Sequence, residues 1–108
     1  MQRGNIVLVA LSGDYGKPRP AIVVQSNLFN PTHSSYIICP ITSTLQNSPL
    51  YRITLEPSAQ NGLKVISQIM VDKVQTINQK RVGNVIGYAT KEEITKLNRS
   101  LVLILELA

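Results

Sequence analysis

Only the C-terminal stretch of this sequence carries a helical repeat. Everything before it is cut into short β-branched runs by turn-forming residues, and that division constrains the fold more than any other feature. Residues 5–11 (Asn-Ile-Val-Leu-Val-Ala-Leu) form the first run and Ser12-Gly13-Asp14-Tyr15-Gly16 stops it. Further strands are predicted over 21–25, 36–42, 51–55, 63–70, 71–77 and 82–88, with a single helical turn over 27–30 ended by Pro31. Pro18 and Pro20 fix φ and remove donors, so 17–20 is read as a stiff, extended entry to the second strand. Pro40 inside the third run predicts a bulge or a sheet edge, and Asn61-Gly62 predicts a turn. Thr90 followed by Glu93 is a capping box, and Ile94, Leu97, Leu101 and Ile104 recur at helical spacing, which predicts an amphipathic helix over 91–105. Its Leu-Val-Leu-Ile-Leu end is apolar on nearly all sides and suits burial in a core or a subunit interface. The expected fold is mainly β: a small, curved antiparallel barrel or sandwich of six to seven strands with helices at its periphery, in one domain over 1–108.

Composition narrows the function. One cysteine (Cys39) and one histidine (His33) exclude a disulfide framework and a Cys/His metal cluster, and six scattered carboxylates disfavour a carboxylate-rich metal site. The expected cofactor and metal content is therefore none. The absence of a phosphate-cradling glycine loop or a nucleophile elbow removes support for nucleotide-cofactor folds and serine hydrolases. Cys39, within an apolar run, reads as a small buried hydrophobe. No cleavage signature follows Met1, and the longest apolar run, 101–105, is far short of the roughly 20 residues that cross a bilayer. A cytoplasmic, membrane-free protein is expected. Eleven Lys and Arg against six Asp and Glu give a net charge of +5, which favours a polyanionic or acidic partner.

Candidate chemistry lies at strand ends. Arg19, between two prolines at the mouth of a buried strand, presents a pre-organised guanidinium whose forked donors match phosphate oxygens. Thr42, Ser43 and Thr44 offer hydroxyls at the end of the third strand. Gln68, Met70 and Asp72 share one face if the fifth strand runs through them. Taken singly, each has an ordinary structural reading: Arg19 as a loop-closing ion pair, 42–44 as a solvated turn, Asp72 as a cap or ion-pair partner.

The opening Gly4-Asn5-Ile6-Val7, a loop, and Arg19-Pro20-Ala21-Ile22-Val23-Val24 together resemble the N-terminal signature of the MazF/PemK family, G-D-I-V and R-P-x followed by three β-branched residues. Ile41-Thr42-Ser43 resembles the family's apolar strand ending in Thr or Ser, and Val71-Asp72-Lys73-Val74-Gln75-Thr76-Ile77 resembles its D-Q-x-R-T motif. The resemblance is collinear over nearly the whole chain. It implies an SH3-like barrel, a homodimer, and the toxin of a type II toxin–antitoxin pair. It further implies a metal-independent, sequence-specific endoribonuclease that cleaves single-stranded RNA by 2′-OH attack, leaving 2′,3′-cyclic phosphate and 5′-OH ends. Carried over by position, Arg19 stabilises the phosphate and is a candidate proton donor, Thr42 orients the phosphate, and Asp72 acts as base or RNA contact. Lys17, Ser43, Arg52, Gln68 and Lys73 are expected to contact RNA, and the loop 12–17 to gate the site. An acidic antitoxin tail is the expected protein partner.

The sequence departs from the family pattern at four places. Asn5 replaces the usual Asp, Lys73 and Gln75 replace the Gln and Arg of D-Q-x-R, and Met70 stands where some members carry a second Arg. A second cation, where the mechanism requires one, is expected from Lys17, Lys73 or Arg52. Two other readings compete: a CcdB-type gyrase inhibitor on the same fold, without cleavage chemistry, and a plain RNA-binding barrel. The latter is limited by having only Phe29, Tyr15, Tyr36, Tyr51 and Tyr88 for base stacking.

Overall fold

The computed structural model describes residues 1–11 and 17–108. Seven strands and one helix follow in the order β1 (Asn5–Val9), β2 (Arg19–Val23), β3 (Ser35–Thr42), β4 (Arg52–Leu55), β5 (Ser67–Met70), β6 (Gln75–Asn78), β7 (Val82–Tyr88) and α1 (Lys91–Leu105). Every strand pair is antiparallel, in the order β4-β5-β3-β2-β1-β7, with β6 also paired to β3.

Alternation explains the apolar runs. On one face Ile6, Ile22, Cys39, Ile41, Ile53, Leu55 and Ile69 form the main core with Leu97 of α1. On the other, Val7, Val9, Ala21, Val23, Ile38 and Ile77 form a second cluster. The central strands are thus buried on both faces, which is why they read as continuous β-branched runs. The sheet is not closed by strand pairing between β4 and β7 among the described residues. The β4–β5 connection and α1 occupy that side: the Tyr88 N–H donates to the Gln60 carbonyl at 3.0 Å, and α1 packs on β4.

Several expectations are corrected. Arg19 and Pro20 belong to β2 itself, paired with Val9 and Leu8. Pro40 lies in an interior strand: on one edge β3 pairs with β6 through Ile38 and with β5 from Ile41, and the proline falls between the two partners. A missing N–H is tolerated at that join. The run 71–77 is not one strand, because β5 ends at Met70 and Val71–Lys73 forms a 3-10 turn before β6. Asp72 therefore does not continue the face of Gln68 and Met70. Helix α1 has the expected bounds and capping box: Glu93 N–H donates to Thr90 Oγ1 at 3.1 Å, and Thr90 N–H to Glu93 Oε1 at 2.8 Å. Its C-terminal end is not buried in this chain's own core; Leu103 is 60% exposed and Leu105 49%.

Candidate active site

β-Sheet register builds the site. Ala21 pairs with Pro40, and that register carried two residues further sets Arg19 beside Thr42. Thr42 in turn pairs with Gln68, and Gln68 with Thr54. Directly opposed residues in antiparallel strands share a face, so a polar row runs across four strands on the side away from the main core. Beside it lies a cleft of about 440 Å³. Arg19, Thr42, Ser43, Thr44, Lys64 and Ser67 supply its polar lining, and Pro20, Pro40, Leu63 and Met70 much of its apolar lining. Among the described residues no carboxylate lines it, so the cleft presents cations and hydroxyls, a donor set suited to a phosphate.

The hydroxyl wall is held in place by three anchors. Thr42 Oγ1 accepts from the Thr44 N–H at 3.1 Å, an ST turn that fixes the oxygen and leaves the hydroxyl proton to donate elsewhere. Arg52 Nη1 donates to the Thr44 carbonyl at 2.9 Å. Gln68 Oε1 accepts from the Gln46 N–H at 2.9 Å and from Arg52 Nη1 at 3.0 Å, while its Nε2 donates to the Gln46 carbonyl at 3.0 Å and to Thr54 Oγ1 at 3.2 Å. All four hydrogen-bonding positions of the Gln68 amide are therefore used within the protein.

Of the sequence-predicted residues, Arg19, Thr42 and Ser43 meet in the cleft. Asp72 is exposed on the 3-10 turn after Met70, outside the described lining, as is the exposed Lys73 next to it. Arg52 and Gln68 stand behind the hydroxyl wall. Lys17 is exposed beside the loop 12–16, and the gating expected of that loop lies outside the described residues. Lys64 lines the cleft although no local pattern marked it; the only nearby signal was the Asn61-Gly62 turn that aims its segment. Cys39 is fully buried, and loss of solvation pushes its thiol up to about 12, Asp72 adding to the rise and Arg3 opposing it. It is no nucleophile at neutral pH. Among the described residues no group of three or more His, Cys, Asp or Glu could hold a metal ion, and no helix is long and apolar enough to cross a membrane.

Residues 2–105 match the family model of PemK-like, MazF-like toxins of type II toxin–antitoxin systems. The chain belongs to this toxin family. A probable endoribonuclease MazF from Mycolicibacterium smegmatis is 34% identical over 109 residues, an alignment that covers 100% of this chain and 99% of that protein. In fold, the family member resembles a mycobacterial endoribonuclease solved in complex with its cognate antitoxin (TM-score 0.84, 21% identity, covering 100% of this chain and 97% of that one). It equally resembles the Mycobacterium tuberculosis toxin MazF-mt6 (TM-score 0.84, 24% identity, covering 96% and 98%). The gyrase-inhibitor alternative is not favoured by these relatives. Within this toxin, the family's R-P motif and the strand-end Thr are the residues that meet in the cleft.

Proposed function

We propose that this toxin is a metal-independent endoribonuclease that cuts single-stranded RNA in the cleft between Arg19 and Thr42. The observation that carries the reading is the convergence of a guanidinium and a donor-ready hydroxyl at one strand mouth, in a cleft lined by no carboxylate among the described residues. A phosphodiester seated there receives the Arg19 fork on its non-bridging oxygens and a hydrogen bond from Thr42. The ribose 2′-oxygen then forms its bond to phosphorus as the bond to the 5′-oxygen breaks; the 2′-OH proton passes to solvent water, and the departing 5′-oxygen takes a proton from solvent. The products are a 2′,3′-cyclic phosphate and a 5′-OH. Arg19 and Thr42 act by stabilising charge that grows on the phosphoryl oxygens. Ser43 extends the hydroxyl wall along the RNA, and Lys17, Asp72 and Lys73 contact it at the rim. Gln68 and Arg52 serve by holding the wall.

In the same reading the toxin is a cytoplasmic homodimer neutralised by an acidic antitoxin. The net charge of +5 supports attraction to such a partner. The exposed Leu103, Leu105 and Leu107 at the end of α1 supply apolar surface for association. The test of the site is Arg19→Ala assayed for cleavage of mixed-sequence RNA in EDTA. We expect a loss of about 100-fold or more with circular dichroism and Tm preserved. Parent-level cleavage by this variant overturns the assignment.

A further inference from the structure

The cleft holds a second cation, and it is none of those the sequence suggested. Lys64 comes from the β4–β5 connection, which crosses from β4 to the mouth of β2 and β3 and contributes Leu63, Lys64 and Val65 to the lining. This connection is clamped on both sides of the lysine. Ahead of it, the buried Asn61 side chain accepts from the N–H groups of Ser58 (3.0 Å) and Leu63 (2.9 Å) and donates to the Glu56 carbonyl (2.7 Å). Gly62, at φ +70°, packs against β7 so closely that a Cβ would lie 2.1 Å from the Ile86 carbonyl oxygen. Behind it, Ser67 Oγ donates to the Val65 carbonyl at 3.0 Å. The Lys64 backbone is thus fixed, while its side chain is exposed and makes no hydrogen bond or ion pair with the described residues.

We propose that Lys64 is a catalytic residue, supplying the second positive charge at the reacting phosphate. The proposal rests on the endoribonuclease reading. A phosphodiester carries one negative charge, and attack by the 2′-oxygen builds a second on the phosphoryl oxygens. Arg19 alone matches the ground state; a second cation in the same cleft matches the charge that develops. Such an interaction strengthens in the transition state and raises the rate of the bond-making step more than it tightens binding. Met70, which also lines the cleft, brings no charge, and the Arg52 guanidinium is engaged by Thr44 and Gln68. Lys64 is a point charge on a flexible stem, so an arginine at this position can replace it.

The experiment is single-turnover cleavage of a mixed-sequence single-stranded RNA in EDTA under saturating protein, with the full chain as parent, Lys64→Ala, Lys64→Gln, Lys64→Arg and Arg19→Ala. Binding of an all-2′-deoxy oligonucleotide of the same sequence is measured alongside by fluorescence anisotropy. We expect Lys64→Ala and Lys64→Gln to lower the saturated rate about 10- to 100-fold and to weaken oligonucleotide binding less than about fivefold. Lys64→Arg restores the rate to within about fivefold of the parent. Parent-level rates in both neutral variants overturn the proposal, as does weakened binding with an unchanged saturated rate, which marks ground-state attraction only. A parent that leaves RNA intact overturns the endoribonuclease reading and this proposal with it. A cutting parent with indifferent Lys64 variants overturns this proposal alone.

Discussion

Replacing Gln68 by leucine removes four hydrogen bonds while keeping a side chain of similar bulk, and it separates holding the cleft wall from touching RNA. Each of the four contributes about 0.5–1.5 kcal/mol net. The Gln46 N–H and carbonyl lie on an exposed residue and recover part of their bonding from water. Arg52 is worse placed: its Nε is already buried without a partner among the described residues, and Nη1 would keep only the Thr44 carbonyl. Together these give a destabilisation of about 3 kcal/mol, or a fall in Tm of about 12–15 °C for a chain of this size. Gln68→Glu retains the acceptor for Gln46 and Arg52 but loses both donated bonds, so it should fall between leucine and the parent. The assay is thermal unfolding followed by circular dichroism. Arg52→Ala combined with Gln68→Leu should cost less than the two changes added, because they share one hydrogen bond. A Tm change under about 3 °C for Gln68→Leu, or strict additivity in the pair, refutes the view that this amide holds the 42–46 segment.

Two further expectations follow from packing and titration. Gly62→Ala meets both a positive φ and the Ile86 carbonyl at 2.1 Å, so it should cost at least about 2 kcal/mol and lower Tm by about 10 °C. Gly83→Ala, whose Cβ would lie 3.3 Å from the Leu8 carbonyl, should cost much less in the same thermal scan. Cys39 is protonated in both folded and unfolded chains below pH 9; above it the unfolded thiol ionises first, because burial holds the folded group near 12. Stability from this group is therefore complete below pH 9 and is lost as pH rises from about 9 to 12. At pH 10 the loss relative to Cys39→Ala should be about 1.4 kcal/mol, read by urea unfolding; parallel profiles for the two proteins would contradict it.

What was legible in the sequence was whatever depends on neighbours along the chain. The helix 91–105 and its capping box were readable because Thr90, Glu93 and the apolar spacing sit within one segment. The β-branched runs located the strands to within a few residues, and the R-P and strand-end Thr motifs pointed to the two elements whose pairing makes the cleft. What stayed hidden depends on distant partners. Val71-Asp72-Lys73 continues a β-branched run without a glycine or proline, so nothing local announced the 3-10 turn that takes Asp72 off the face of Gln68 and Met70. Pro40 looked like an edge because its tolerance comes from β3 changing partners, from β6 to β5, at that residue. Nothing local showed that the Gln68 amide, read as an RNA contact, is hydrogen-bonded at all four positions by residues 14 to 22 positions away. Lys64 is an isolated lysine in a connection, and only the crossing of that connection to the strand mouth gives it chemistry.

On the proposed reading, the Arg19–Thr42 cleft cleaves RNA without a metal. The most direct measurement incubates the purified chain with mixed single-stranded RNA in EDTA and maps the product ends. Discrete cuts bearing 2′,3′-cyclic phosphate and 5′-OH ends are predicted. Intact RNA, or cleavage that appears only when a divalent metal is restored, would overturn metal-free cleavage in this cleft.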